Sequence, residues 1–135
     1  MILGVDHIGV AVESLDTALR FWQGSLGLTP AHAEAVAAQG VRTVLLPANG
    51  VRIELLEPTG PDTPVGKFLA RRGPGLHHVC LLVDDLDAAL RSLTASGLRL
   101  IDALPRSGVE GSRIAFLHPV AGEGVLVELK ETVRR

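Results

Sequence analysis

The chain has 135 residues, of which 47% are hydrophobic and 21% are charged, and its formal net charge is −2. This length fits one compact domain. Acidic and basic residues are interspersed, which argues against a nucleic-acid surface, and no apolar run is long enough to cross a membrane. The single cysteine, Cys80, and the lack of a signal-peptide pattern after Met1 predict a cytoplasmic protein without an internal disulfide.

The first half of the chain predicts a strand, a helix and three further strands. Residues 8–12 form a short apolar run rich in β-branched side chains, which is typical of a strand. Ser14 has the side chain of a helix N-cap, apolar residues follow it with helical spacing, and Gly24 or Gly27 is expected to end the helix. The three further strands are expected at residues 28–34, 42–47 and 51–56.

The second half predicts the same order of elements after a connecting segment rich in proline and glycine. Residues 59–75 form this segment, and a short helix is expected within it at 64–72. A strand at 79–83 precedes a helix that Asp85 is expected to cap and Gly97 to end. The remaining strands are expected at residues 99–104, 113–118 and 124–130.

The two halves are copies of one unit. Residues 6–25 (DHIGVAVESLDTALRFWQGS) and 77–96 (HHVCLLVDDLDAALRSLTAS) share eight of twenty positions without a gap, at a period of 71. A repeat of this length indicates a duplicated supersecondary unit. It predicts an α+β fold in which two tandem β-α-β-β-β modules form a curved eight-stranded mixed sheet with a concave metal-binding cleft. We expect a single domain over residues 1–135, with module one at about 4–58, a linker at about 59–75 and module two at about 76–131.

The repeat pairs two histidines and two glutamates. His7 corresponds to His78, and Glu54 corresponds to Glu128 in the last strand of each half. Each glutamate lies between apolar neighbours, and taken alone it would be interpreted as a residue of a solvated outer face. Because the four residues form two repeat-related pairs, we interpret them as ligands of one first-row divalent metal ion. The adjacent His77 is expected on the opposite strand face, and surface or loop positions are expected for His32 and His118.

The chain resembles the vicinal oxygen chelate superfamily, which includes glyoxalase I, and is most similar to its methylmalonyl-CoA epimerases. The segments that carry the resemblance cover nearly the whole chain and are listed here: DHIGVAV at 6–12, ELLEP at 54–58, KFL at 67–69, GLHH at 75–78, GSRIAFLHP at 111–119 and GVLVEL at 124–129. The GLHH step and the GVLVEL ending are specific when they occur together.

This resemblance implies a metal-dependent epimerase that interconverts (R)- and (S)-methylmalonyl-CoA through a metal-stabilised enolate. It implies a divalent metal, cobalt or manganese first and nickel or zinc next, at His7, Glu54, His78 and Glu128. It also implies an acyl-CoA substrate and a homodimer. Glu128 is the first candidate for a catalytic base, and Glu54 is a candidate for the second.

Two positions depart from the epimerase pattern. Thr43 stands where some relatives have a second acid, and Val120 stands where relatives often have a lysine. Threonine is not a base at neutral pH, so the second proton carrier is left open between Glu54, a water molecule and another group. Cations that could contact the CoA phosphates are Lys67, Arg71, Arg106 and Arg113.

Three alternatives to the epimerase remain at this point. One is a glyoxalase I-type lactoylglutathione lyase, which the fold cannot distinguish from an epimerase. Another is a non-catalytic protein that binds a small molecule on the same fold. The last is a purely structural repeat domain, in which changes at Glu54 and Glu128 would be nearly silent.

Overall fold

The computed structural model describes residues 1–133, so that the last two residues of the predicted domain lie outside the described part. The chain divides into two compact units. One consists of His7–His77, and the other combines Met1–Asp6 with the residues from His78 onward. Within the described residues, no helix is both long and apolar enough to span a bilayer.

The unit His7–His77 contains a mixed four-stranded sheet. Its strands lie in the order β2-β3-β4-β1, with β1 and β4 parallel and the other neighbours antiparallel. The bounds are β1 at Ile2–Ala11, of which residues 2–6 are counted with the other unit, β2 at His32–Val36, β3 at Val41–Ala48 and β4 at Val51–Pro58. Asn49 and Gly50 join β3 to β4 with φ of 54° and 96°, as a tight hairpin turn requires.

Two helices accompany this sheet. The helix α1 spans Leu15–Leu19 and continues as a π-helix over Arg20–Ser25, and α2 spans Pro64–Arg72, as predicted. The α1 region covers one face of the sheet, where the buried residues are Val10, Val12, Val44, Leu46 and Leu55. The opposite face of the same strands is therefore left for other side chains.

The second unit repeats this plan. Its strands are β5 at Gly75–Val83, β6 at Arg106–Ser107, β7 at Arg113–Leu117 and β8 at Val127–Glu131, in the order β5-β8-β7-β6. β5 and β8 are parallel, and β8 is antiparallel to β7. The helix α3 at Leu86–Ala95 covers one face over Val83, Ala115 and Leu129. The described residues therefore contain the two predicted β-α-β-β-β modules, and the α+β class is confirmed.

The two module helices begin in the same way. Ser14 Oγ accepts a hydrogen bond from Thr17 N at 3.3 Å, and Asp85 Oδ1 accepts one from Ala88 N at 3.0 Å, so both predicted N-caps are confirmed. A glutamate from the last strand of each module binds the first helical N–H. These contacts join Leu15 N to Glu57 Oε1 at 3.1 Å and Leu86 N to Glu131 Oε2 at 2.9 Å. A carboxylate at a helix N-terminus is also favoured by the helix dipole.

Replacing Asp85 with alanine is expected to lower the free energy of unfolding by about 1 kcal/mol, because the Ala88 N–H loses its capping partner. Urea denaturation measures this loss. Thr94→Ala, at an exposed position of the same helix, is the control and should change stability by less than about 0.5 kcal/mol. Equal effects of the two substitutions would contradict the capping role.

The π-helix accounts for a difference in length between the repeats. The caps Ser14 and Asp85 are 71 residues apart, whereas the left-handed glycines that follow the helices, Gly27 and Gly97, are 70 apart. The first copy therefore contains one extra residue between cap and glycine. The widened turn absorbs it, with Leu26 N donating to Phe21 O at 2.9 Å. Gly27, not Gly24, ends the first helical segment.

Several predicted strands differ from the structure. β1 and β5 begin at Ile2 and Gly75, before the expected residues 8 and 79, and β8 begins at Val127 rather than at residue 124. The strand expected at 28–34 begins only at His32, after Pro30, which has no N–H to donate to a ladder. The strand expected at 99–104 is wrong, since only Leu100 forms a bridge there and β6 begins at Arg106. The Asp102 carboxylate accepts from Phe116 N at 2.9 Å, and this contact replaces the backbone partner that a regular ladder would supply.

Candidate functional site

The first histidine–glutamate pair lies on the sheet face away from α1. Ile53 and Leu55 pack towards the helix side, so Glu54 between them points to the other face, and His7 does the same in β1. Gly9 is paired with Glu54 across β1 and β4. As a glycine, it adds no side chain of its own beside the carboxylate.

In this pair His7 Nε2 lies 3.6 Å from Glu54 Oε1. His7 is 5% exposed and Glu54 is 3% exposed. The solvated outer face that Glu54 alone would suggest is therefore wrong. A buried carboxylate is costly without a compensating charge, and here its neighbour is an imidazole nitrogen that can itself bind a metal.

The second pair is built in the same way within the other unit. His78 Nε2 lies 3.3 Å from Glu128 Oε1, and the two residues are 6% and 5% exposed. They share the face of β5 and β8 that points away from α3, because Leu129 packs in the helix-side core. Cys80 lies next to Glu128 across the parallel ladder, and its thiol is fully buried.

The donor set fits a divalent metal ion. Two ligand atoms at about 2.1 Å from one ion lie about 3.0–3.4 Å apart when the ion is octahedral or tetrahedral. The spacing in the His78–Glu128 pair falls in this range, and that in the His7–Glu54 pair is slightly longer. Imidazole and carboxylate together suit first-row divalent metals.

Further residues surround the second pair, and the sequence pattern did not reveal most of them. The Phe116 ring stands edge-on to His78 with centroids 5.7 Å apart, and the Arg106 guanidinium lies 5.3 Å above that ring. Asp102 holds Arg106 through Nε at 3.1 Å. The signal that could have identified Phe116 is its register opposite Glu128, which follows from the β7–β8 pairing.

The remaining histidines have other neighbours. His77 stacks edge-on against Phe68 of α2, with centroids 4.9 Å apart. His118 Nδ1 accepts from Val120 N at 3.1 Å and so caps a short turn. His32 Nε2 lies 2.7 Å from Glu34 Oε1 on β2, with both side chains about one-third exposed.

The candidate cations for CoA differ in how strongly they are already paired. Arg113 donates to Glu131 Oε1 at 3.0 Å and to Asp87 at 3.1 Å. These two hydrogen bonds, that of Glu131 first, raise the pKa of the Arg113 guanidinium. Lys67 and Arg71 are exposed on α2. Arg113 is therefore the poorest candidate for a phosphate contact.

Comparison with known proteins gives consistent matches. Residues 6–116 match the family model of the glyoxalase/bleomycin resistance protein/dioxygenase superfamily. A Bacillus subtilis protein, YqjC, is 43% identical over 94% of this chain and 91% of its own length. The mitochondrial methylmalonyl-CoA epimerase of Dictyostelium discoideum is 35% identical over 94% of this chain and 77% of its own.

A solved structure agrees with these relatives. It is a methylmalonyl-CoA epimerase in complex with methylmalonyl-CoA and NH4+, with a TM-score of 0.95 and 38% sequence identity. The match covers 98% of this chain and 96% of the other. The similarity therefore extends over both modules and confirms the predicted fold class.

Proposed function

Because the chain belongs to the glyoxalase/bleomycin resistance protein/dioxygenase superfamily, and within it to the methylmalonyl-CoA epimerases, we propose that it interconverts (R)- and (S)-methylmalonyl-CoA with the help of a divalent metal ion. The observation that carries the proposal is the pair of buried His–Glu contacts at repeat-related positions. Glutamates on a solvated surface would be exposed, and a purely structural core would contain apolar side chains at these positions instead of two carboxylates.

In this proposal His7, Glu54, His78 and Glu128 hold one ion, cobalt or manganese first. The support is the burial of all four residues and the ligand-like spacing within each pair. The ion, when bound, stabilises the negative charge that develops on the thioester oxygen as the α-proton leaves. The low exposure of the four side chains keeps water away and strengthens their electrostatic effect.

The reaction also needs proton carriers on the two faces of the α-carbon. Glu128 serves on one face, where its carboxylate takes the proton from one epimer and returns a proton to the other. In this proposal Glu54, which is equally buried, binds the ion and does not transfer the proton. Proton return on the opposite face then requires a further group, since Thr43 is not basic.

The homodimer and the cytoplasmic location belong to the same proposal. The homodimer is supported by a run of exposed apolar side chains at the start of β1, namely Met1, Ile2, Leu3 and Val5, which a second copy would cover. The cytoplasmic location is supported by the buried thiol of the single cysteine, Cys80.

The test is isotope exchange at the α-carbon of methylmalonyl-CoA in deuterated water. Protein loaded with cobalt or manganese is expected to incorporate deuterium and to equalise the two epimers, and chelator-treated protein is expected to do neither. A glutathione hemithioacetal should not be turned over. Absence of exchange with cobalt, manganese, nickel and zinc would exclude the epimerase.

A further inference from the structure

At the position where some relatives have a second acid, this chain has a residue that cannot carry a proton. That position is Thr43 on β3, which is 1% exposed, and its hydroxyl lies 3.4 Å from the backbone oxygen of Glu34. A buried threonine in this place can support the sheet, but it cannot take the α-proton. The side chains on the same sheet face as Thr43 are therefore candidates for the second carrier.

The strand register identifies such a group. In the β2–β3 ladder Glu34 is directly opposite Thr43, and His32 is directly opposite Leu45. In the β3–β4 ladder Leu45 is directly opposite Glu54. Residues directly opposite one another in antiparallel strands project from the same face of the sheet. His32 and Glu34 therefore share the face of Glu54 within this unit.

One strand, β3, separates His32 and Glu34 on β2 from Glu54 on β4. Neighbouring strands are about 4.8 Å apart, so the backbones of His32 and Glu54 are separated by about 10 Å. Leu45 lies between them, and Thr43 and Leu56 lie beside it on the same face, so that three almost fully buried side chains form a floor. A glutamate side chain from β2 can reach over such a floor towards the position of a substrate bound near Glu54.

His32 and Glu34 form a dyad rather than two separate side chains. His32 Nε2 and Glu34 Oε1 are 2.7 Å apart, and the side chains are 36% and 30% exposed. When Glu34 is ionised, His32 donates through Nε2–H and holds the carboxylate in one orientation. An oriented carboxylate is the usual arrangement for a general base.

We propose that Glu34 is the second proton carrier of this enzyme and that His32 is its positioning residue. The inference rests on the proposed function. Glu34 takes the α-proton from one epimer, the C–H electron pair passes into the enolate, and protonated Glu128 delivers a proton to the opposite face. The other epimer follows the reverse sequence, so each turnover exchanges the protonation of the two carboxyl groups.

The test compares metal-loaded wild type with Glu34→Gln. The variant is expected to epimerise at least about 100-fold more slowly. It should still exchange the α-proton of one epimer with retention, through Glu128, and should fail to exchange that of the other. His32→Gln should show the same asymmetry with a smaller loss. Glu13→Gln, at an exposed carboxyl, is the matched control and should behave as wild type.

A double variant tests the same assignment by rescue. Adding Thr43→Glu to Glu34→Gln restores an acid directly across the ladder and should recover both epimerisation and symmetrical exchange. Wild-type rates in Glu34→Gln, or equal loss of exchange from both epimers while metal content is unchanged, would overturn the assignment of Glu34. If wild type and Glu13→Gln are themselves inactive, the proposed function falls, and the dyad with it.

Discussion

Replacing His78 with alanine is expected to remove the bound metal ion and to slow α-proton exchange by at least about 1,000-fold. His78 supplies one of the two imidazoles, and its partner Glu128 is only 5% exposed. Without His78, the ion loses one of its two imidazole ligands, so its affinity for the site falls. Metal content after dialysis and the isotope-exchange rate measure the two effects separately.

The control for this substitution is the adjacent residue of the same strand. His77→Ala removes the same side chain from the opposite face, where it packs on Phe68. It should keep the metal and the activity and lose about 1 kcal/mol of stability. His78→Gln serves as a size-conserving variant if His78→Ala does not fold. Full activity in folded His78→Ala, or equal loss of metal in His77→Ala, would contradict the proposed site.

The second large effect is expected for Glu128→Gln. The amide keeps the shape of the side chain but cannot accept the α-proton, so epimerisation should fall by about 100- to 10,000-fold. Exchange should be lost from the epimer whose proton faces Glu128 and should persist in the other. This is the mirror image of the pattern expected for Glu34→Gln. Chiral analysis of deuterated methylmalonyl-CoA distinguishes the two variants.

Glu54→Gln is the matched comparison, because it makes the same chemical change at the repeat-related position. Glu54 is assigned to binding the ion, so the expected result is a loss of metal affinity that added metal offsets. Exchange from the two epimers should remain symmetrical. If saturating metal leaves Glu54→Gln as inactive as Glu128→Gln, the division of roles between the two glutamates is wrong.

The sequence predicted correctly those parts of the fold that are stabilised by contacts between residues close together in the chain. The caps Ser14 and Asp85 and the helix at Pro64–Arg72 were found as expected, because capping side chains and a proline at the first turn act within one helix. The one-residue insertion before Gly27 was not predicted, because residues 6–25 and 77–96 align without a gap and nothing in them marks the i→i−5 turn. The predicted strand at 99–104 was wrong because the Asp102 side chain, instead of a backbone carbonyl, accepts the hydrogen bond of Phe116 N, and the local sequence does not show this contact.

In the candidate site, too, some features could be predicted from the sequence and others depended on tertiary structure. Alternation along β4 alone placed Glu54 in solvent, and only its repeat partner Glu128 indicated burial, which the structure confirms. The roles of these residues as ligands stay predictions. Glu34 could not be identified beforehand, because its place on the site face depends on the β2–β3 register, and His32 had been expected at the surface.

The most direct test of the central claim is an anomalous difference map from a crystal grown with cobalt. We predict one peak per chain, contacted by the Nε2 atoms of His7 and His78 and by carboxylate oxygens of Glu54 and Glu128. Two separate peaks, one at each His–Glu pair, or no peak at either pair, would contradict a single metal centre shared by the two repeats.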